Sequence, residues 1–114
     1  MENNKSIKRG TTPTLLISVD GIAPENVEKI EFIFKSNRTE SDKELLRKVF
    51  PGDDVDYNAY SKFYRVSLTD AETRIFSEGR IFMDTRVTLI GGKIPATDIV
   101  SFNVTDTLFQ DVSE

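Results

Sequence analysis

Three aspartates, Asp53, Asp54 and Asp56, fall within the stretch PGDDVD, and calcium draws its oxygen ligands from such clusters. The stretch lacks the glycine and the distal glutamate of an EF-hand loop, so it reads as a solvated acidic loop. A second candidate is IGGKI at 90–94. A phosphate-binding loop needs a further glycine well upstream of its Gly-Lys pair and a Ser or Thr after the lysine. Here Arg86 and Val87 occupy the upstream neighbourhood and Ile94 follows Lys93, which makes the segment a hairpin turn. Tyr57, Tyr60, Phe63 and Tyr64 cluster near one loop. Such rings stack on sugars in carbohydrate-binding modules, and they fill sheet cores just as well. The carboxylate pair of a glycosidase is set by approach in space, and a small domain leaves little room for its cleft.

The remaining chemical inventory is narrow. Histidine and cysteine are both absent from the 114 residues. The commonest general base goes with the first; thiolate nucleophiles, thiolate metal sites and disulfides go with the second. No catalytic residue and no cofactor is expected. The net charge of −4, from 15 basic and 19 acidic residues, offers no basic face to phosphates, so nucleic acid is not an expected partner. No apolar run approaches the roughly eighteen residues of a membrane span, and MENNKSIKRG lacks the apolar core of a signal peptide. The expectation is therefore no membrane and no export, with the protein staying in the cytoplasm of the cell that makes it. Apolar content of 38% is enough for a thin core between two layers, and eight Phe with three Tyr are too many for a disordered chain.

The elements that would position these residues follow from alternation and turn signals. Residues 1–10 are polar and basic (Lys5, Lys8, Arg9) and read as a flexible arm. TPTLLISVD puts Leu15, Ile17 and Val19 on one face of a strand, and KIEFIFKS does the same with Ile30, Phe32 and Phe34. KELLRKVF suits a helix as well as a strand; Pro51 and Gly52 end it early and its neighbours are strands, which assigns it to a strand. PGDDVDYNAYS is a loop or a short irregular edge strand. KFYRVSLT turns Tyr64, Val66 and Leu68 one way. Thr69 to Glu72 spell a capping box, in which the Thr hydroxyl and the Glu carboxylate each take a backbone N–H of the other residue. The helix that follows is too short to stand alone, with Gly79 closing the segment, and it suits a chain passing from one sheet to another. RIFMDTRVTLI is a strand with Ile81, Met83, Val87 and Leu89 inward and Asp84 paired with Arg86 outside. Gly91 and Gly92 form a tight hairpin turn, and IPATDIVSFNV runs back as a strand whose Pro95 marks an edge or a bulge.

These elements predict an all-β fold, an immunoglobulin-like antiparallel β-sandwich of about seven strands with one short helical turn near residues 70–77. The sandwich occupies 11–105. An acidic tail over 106–114 carries an exposed Leu108–Phe109 pair.

Two stretches, RGTTPTLLISV at 9–19 and VSLTDAETRIFSEGRIFMDTRVTLIGGKIPATDIVSFNV at 66–104, resemble a family of short proteins from the tail and baseplate regions of phages and prophages of Gram-positive bacteria. Family members share an R-G-T-T-P-T start and an L-T-x-x-E-T-x-x-F segment, here Leu68, Thr69, Glu72, Thr73 and Phe76. Gly79, Arg86-Val87, Gly91-Gly92 and Asp98-Ile99 continue the pattern, while residues 36–62 depart from it. The resemblance implies a virion-associated structural protein, similar to the immunoglobulin-like attachment domain of upper baseplate proteins, found in the virion or in the bacterial cytoplasm before assembly. It implies no catalytic residue. The expected partners are protein: another copy, as a homo-oligomer, or a tail or baseplate neighbour. Pro95, Leu108 and Phe109 are the expected contact residues. The alternative is a sandwich that binds cell-wall glycan through Tyr57 and Tyr60.

Overall fold

The computed structural model describes residues 6–19, 22–39, 41 and 43–108. Strands run as β1 (Ser6–Lys8), β2 (Thr14–Ile17), β3 (Val27–Lys35), β4 (Leu46–Pro51), β5 (Asp56–Asn58), β6 (Phe63–Ser67), β7 (Gly79–Leu89) and β8 (Val100–Thr105), with helix α1 (Asp70–Ile75) between β6 and β7. A single 3-10 turn at Pro24–Asn26 leads into β3. One sheet has five strands in the order β1-β8-β7-β3-β4, and the other has three in the order β2-β6-β5. The fold is an all-β, immunoglobulin-like sandwich, as the alternation predicts.

The inward residues are those the period of two selects. Leu15, Ile17 and Val19 from the β2 stretch, Ile30, Phe32 and Phe34 from β3, Tyr64, Val66 and Leu68 from β6, and Ile81, Met83 and Val87 from β7 are all buried. Burying one such side chain contributes about 1.5–3 kcal/mol against leaving it in water, so the inner faces hold the two sheets together. KELLRKVF is a strand in its second half, paired antiparallel with β3 from Phe34↔Leu46 to Lys29↔Pro51. Residues 56–58 of the acidic loop form the short edge strand β5 against β6. At the end of β4 the chain passes close to β3: a Cβ on Gly52 would sit 1.8 Å from the Val27 carbonyl oxygen, so only glycine fits.

The helical interruption has the predicted structure and role. Thr69 Oγ1 accepts from Glu72 N at 3.1 Å, and the Glu72 carboxylate accepts from Thr69 N at 2.8 Å. The α1 segment carries the chain from β6 in the smaller sheet to β7 in the larger. Its end differs from expectation. The extended backbone of Phe76 stops the helix, and Gly79, at φ +127°, instead opens β7.

Three expectations are corrected by long-range pairing. Residues 6–8 are not a flexible arm: they form β1, parallel to β8 with Ile7 opposite Val104. Ile7 is 1% exposed, so its burial between the sheets is what orders this stretch. Among the described residues this adds an eighth strand and puts one parallel pair in an otherwise antiparallel arrangement. The return from the Gly91–Gly92 turn is also not continuous strand, because β8 begins only at Val100. Pro95 has no N–H to give a ladder, and the Thr97 hydroxyl bonds the Thr85 carbonyl in place of a backbone donor. Pro95 therefore marks no edge strand; β8 lies inside its sheet, between β1 and β7.

Candidate interaction surface

The two stretches that carry the family resemblance meet in space. Thr73 of α1 is fully buried. Its hydroxyl accepts from Gly10 N at 2.9 Å and lies 3.0 Å from the Thr11 carbonyl, to which it donates. Arg9 then crosses the end of the helix, donating from Nε to the Phe76 carbonyl at 2.7 Å and from Nη2 to the Arg74 carbonyl at 3.1 Å. A guanidinium at that position answers carbonyls left unpaired where a helix stops. Arg9 also reaches Asp106 at 2.7 Å, so one side chain ties together β1, α1 and the segment after β8. Gly10, at φ +80°, lies so close to Arg74 that a Cβ would fall 2.7 Å from the guanidinium. The R-G-T-T and L-T-x-x-E-T-x-x-F residues are thus a latch between the chain's start and its helix. Their chemistry is structural.

The outer face of the larger sheet holds an ion cluster that sequence reading missed. Glu31 in β3 sits opposite Arg86 in β7, and Arg47 in β4 stands diagonal to it. Arg86 Nε and Arg47 Nη1 each reach the Glu31 carboxylate at 2.8 Å. Arg86 is thus not paired with Asp84, whose carboxylate accepts from Thr85 N at 2.9 Å instead. The Arg86 hydrogen bond holds the Glu31 carboxyl below the usual carboxylate range, against the opposing pull of its burial. Alternation shows which face each residue occupies, but only register shows which charges meet. Both arginines keep much of their surface in water, so the cluster braces three strands and forms no enclosed site.

Other candidate chemistry disperses. Among the described residues no three acidic side chains converge as a metal-holding group. Asp56 is paired with Arg65 at 2.8 Å. No helix among the described residues is long and apolar enough to cross a membrane. The Gly91-Gly92-Lys93 segment closes a turn, with Leu89 N donating to the Lys93 carbonyl at 2.8 Å and both glycines at positive φ. Tyr57 turns its ring onto Tyr64, centroids 4.6 Å apart, and packs against the core. Tyr60, in the turn beyond β5, is fully exposed. The two tyrosines therefore do not present a paired stacking surface. Tyr64 donates from its hydroxyl to the Ile22 carbonyl at 2.9 Å, and burial pushes its phenol up to about 12.

A groove of about 760 Å³ lies between β2 and the irregular segment before β8. Leu15, Ile17 and Phe102 line it from the inner faces of the sheets, and Pro95 and Asp98 line it from the irregular segment. Pro95, expected at an edge, thus borders this groove. One lip of the groove is the outer edge of β2, which among the described residues pairs only with β6. Leu68 N donates to the Pro13 carbonyl, which continues the β2–β6 ladder and sets its phase. Odd-numbered residues of β2 therefore bond to β6, and Thr14 and Leu16 turn their N–H and C=O outward. Leu16 is 60% exposed. Leu108 is fully exposed after β8, and Phe109 lies outside the described residues.

No protein-family profile and no curated protein matches the chain. It is similar in structure to a parallel homodimer form of the extracellular domain of the voltage-gated sodium channel β4 subunit, at 16% identity and a TM-score of 0.37, over 95% of this chain and 98% of that one. A second similar structure, from work on the multimeric cell-adhesive interactions of VGSC β subunits, gives 13% identity and a TM-score of 0.45 over 94% and 96% of the two chains.

Proposed function

We propose that this chain is a non-catalytic structural protein of a phage or prophage virion, a tail or baseplate module that acts through protein–protein contacts. The observation that carries the assembly role is the open edge of β2. Backbone groups of Thr14 and Leu16 that have no partner among the described residues, beside a groove into the core, favour a partner that supplies backbone groups of its own. The tail setting is supported by the ordered resemblance at 9–19 and 66–104. In this reading the R-G-T-T and L-T-x-x-E-T-x-x-F residues keep the sandwich rigid, so that its edges are held ready for assembly. The protein is a virion component that resides in the bacterial cytoplasm until it is built in.

The test is the composition of purified tail particles from the host that carries this gene. Mass spectrometry should find the chain in stoichiometric amount, and particles that lack it would remove the virion role. The glycan reading rests on Tyr60 alone, since Tyr57 is occupied by Tyr64. Titration with cell-wall fragments that saturates, and is lost in Tyr60→Ala, would replace the assembly reading.

A further inference from the structure

We infer that the partner of β2 is β2 of a second copy, paired antiparallel about a two-fold axis at Leu16, so that the two three-stranded sheets become one continuous sheet. This deepens the assembly reading and rests on it. Among the described residues the sandwich has four edges, β1, β4, β2 and β5. Three carry the charges by which natural proteins discourage edge pairing. β1 ends in Lys8 followed by Arg9, β4 contains Arg47 and Lys48, and β5 begins at Asp56 just after Asp53 and Asp54. Pairing any of these with itself sets like charges near one another across the junction. The β2 edge differs. From Gly10 to Val19 the chain reads GTTPTLLISV, without a single charged side chain.

The outward row is also complementary to itself. In a two-fold pairing centred on Leu16, each Thr14 lies opposite Ser18 of the other copy and the two Leu16 residues face each other. Every pair is uncharged, the hydroxyl residues match in size, and the exposed leucine is covered by its own equivalent. Thr14 and Leu16 gain partners for backbone groups that have none among the described residues. A second copy is also present at the same concentration wherever this chain is made, which no foreign strand guarantees.

The absence of cysteine from the chain makes the test direct. In an antiparallel ladder, opposed Cα atoms lie about 4.5–5.5 Å apart, within disulfide reach. Leu16→Cys should therefore give a covalent dimer on mild oxidation. Val49→Cys, exposed in β4, should stay monomeric under the same conditions. Leu16→Lys, at an exposed position that leaves the core intact, should raise the dimer dissociation constant by at least about tenfold in sedimentation, because it opposes two ammonium groups. A dimer that crosslinks through residue 49 and not 16, or a Leu16→Cys chain that stays uncrosslinked at high concentration, overturns the inference. The two proposals fail separately. A monomer found in tail particles would retain the virion role and lose the second copy; a Leu16→Cys dimer missing from particles would do the reverse.

Discussion

Glu31 shows how much a single residue owes to its register. Its carboxylate lies almost out of water, yet both its arginine partners come from neighbouring strands and stay largely wet. Exposed pairs contribute little, and a charged hydrogen bond to a buried carboxylate contributes more. Glu31→Gln should therefore cost about 1–2 kcal/mol at neutral pH, a value discounted for the solvent around the arginines. The pH dependence follows from the lowered carboxyl pKa. The folded state holds this proton more weakly than the unfolded chain does, whose carboxyl titrates near 4.5. Its stabilisation is complete above that value and is lost as the pH falls through the lower, folded one. Denaturant melts of the two proteins should differ by a constant amount at neutral pH and converge as the solution is acidified below 4.5. A gap that widens on acidification would contradict the cluster.

Helix α1 is the element where local and distant causes meet. Its six residues are too few to hold a helix in water, and the capping box supplies only part of what is missing. The remainder comes from Thr73 and Arg9, which bind it to the β1–β2 turn and to its own last carbonyls. Thr73→Val keeps the shape and removes the hydroxyl, leaving the part-buried Gly10 N–H without its acceptor. The expected loss is about 1–3 kcal/mol, read as a lower midpoint in thermal melting. Thr73→Ser, which restores the oxygen, should recover most of it. If valine and serine behave alike, the latch between the two resembling stretches has no energetic content.

The whole molecule depends on closing its first strand onto its last. Ile7 reaches the core only because β1 lies parallel against β8, with Lys8 opposite Thr105 and Arg9 N donating to the Thr105 carbonyl at 2.9 Å. A flexible arm would tolerate any substitution there. Ile7→Ala should instead destabilise the fold by about 2–5 kcal/mol, the range for truncating a buried aliphatic side chain. Urea unfolding of the variant measures this, and an unchanged midpoint would return residues 6–8 to the solvent. The same closure shapes the proposed assembly. The chain leaves β1 toward β2, and no strand among the described residues pairs with the outer edge of β2.

By itself the sequence determined several features that depend on near neighbours along the chain. Alternation over Ile30, Phe32 and Phe34 set an inward face, Thr69 and Glu72 set a helix start, and Gly91 with Gly92 set a turn. Each of these results from contacts within a few residues, and the two-layer all-β architecture follows from their sum. The tertiary structure alone decided that a polar start becomes a strand, that Arg86 meets Glu31 and not Asp84, and that Pro95 borders a groove and no edge. It also decided which of the four edges among the described residues is uncharged, where the proposed assembly contact lies. The physical reason is that pairing residues far apart in sequence is settled by how all the strands share one core. A rule that reads one segment at a time carries no information about that shared burial.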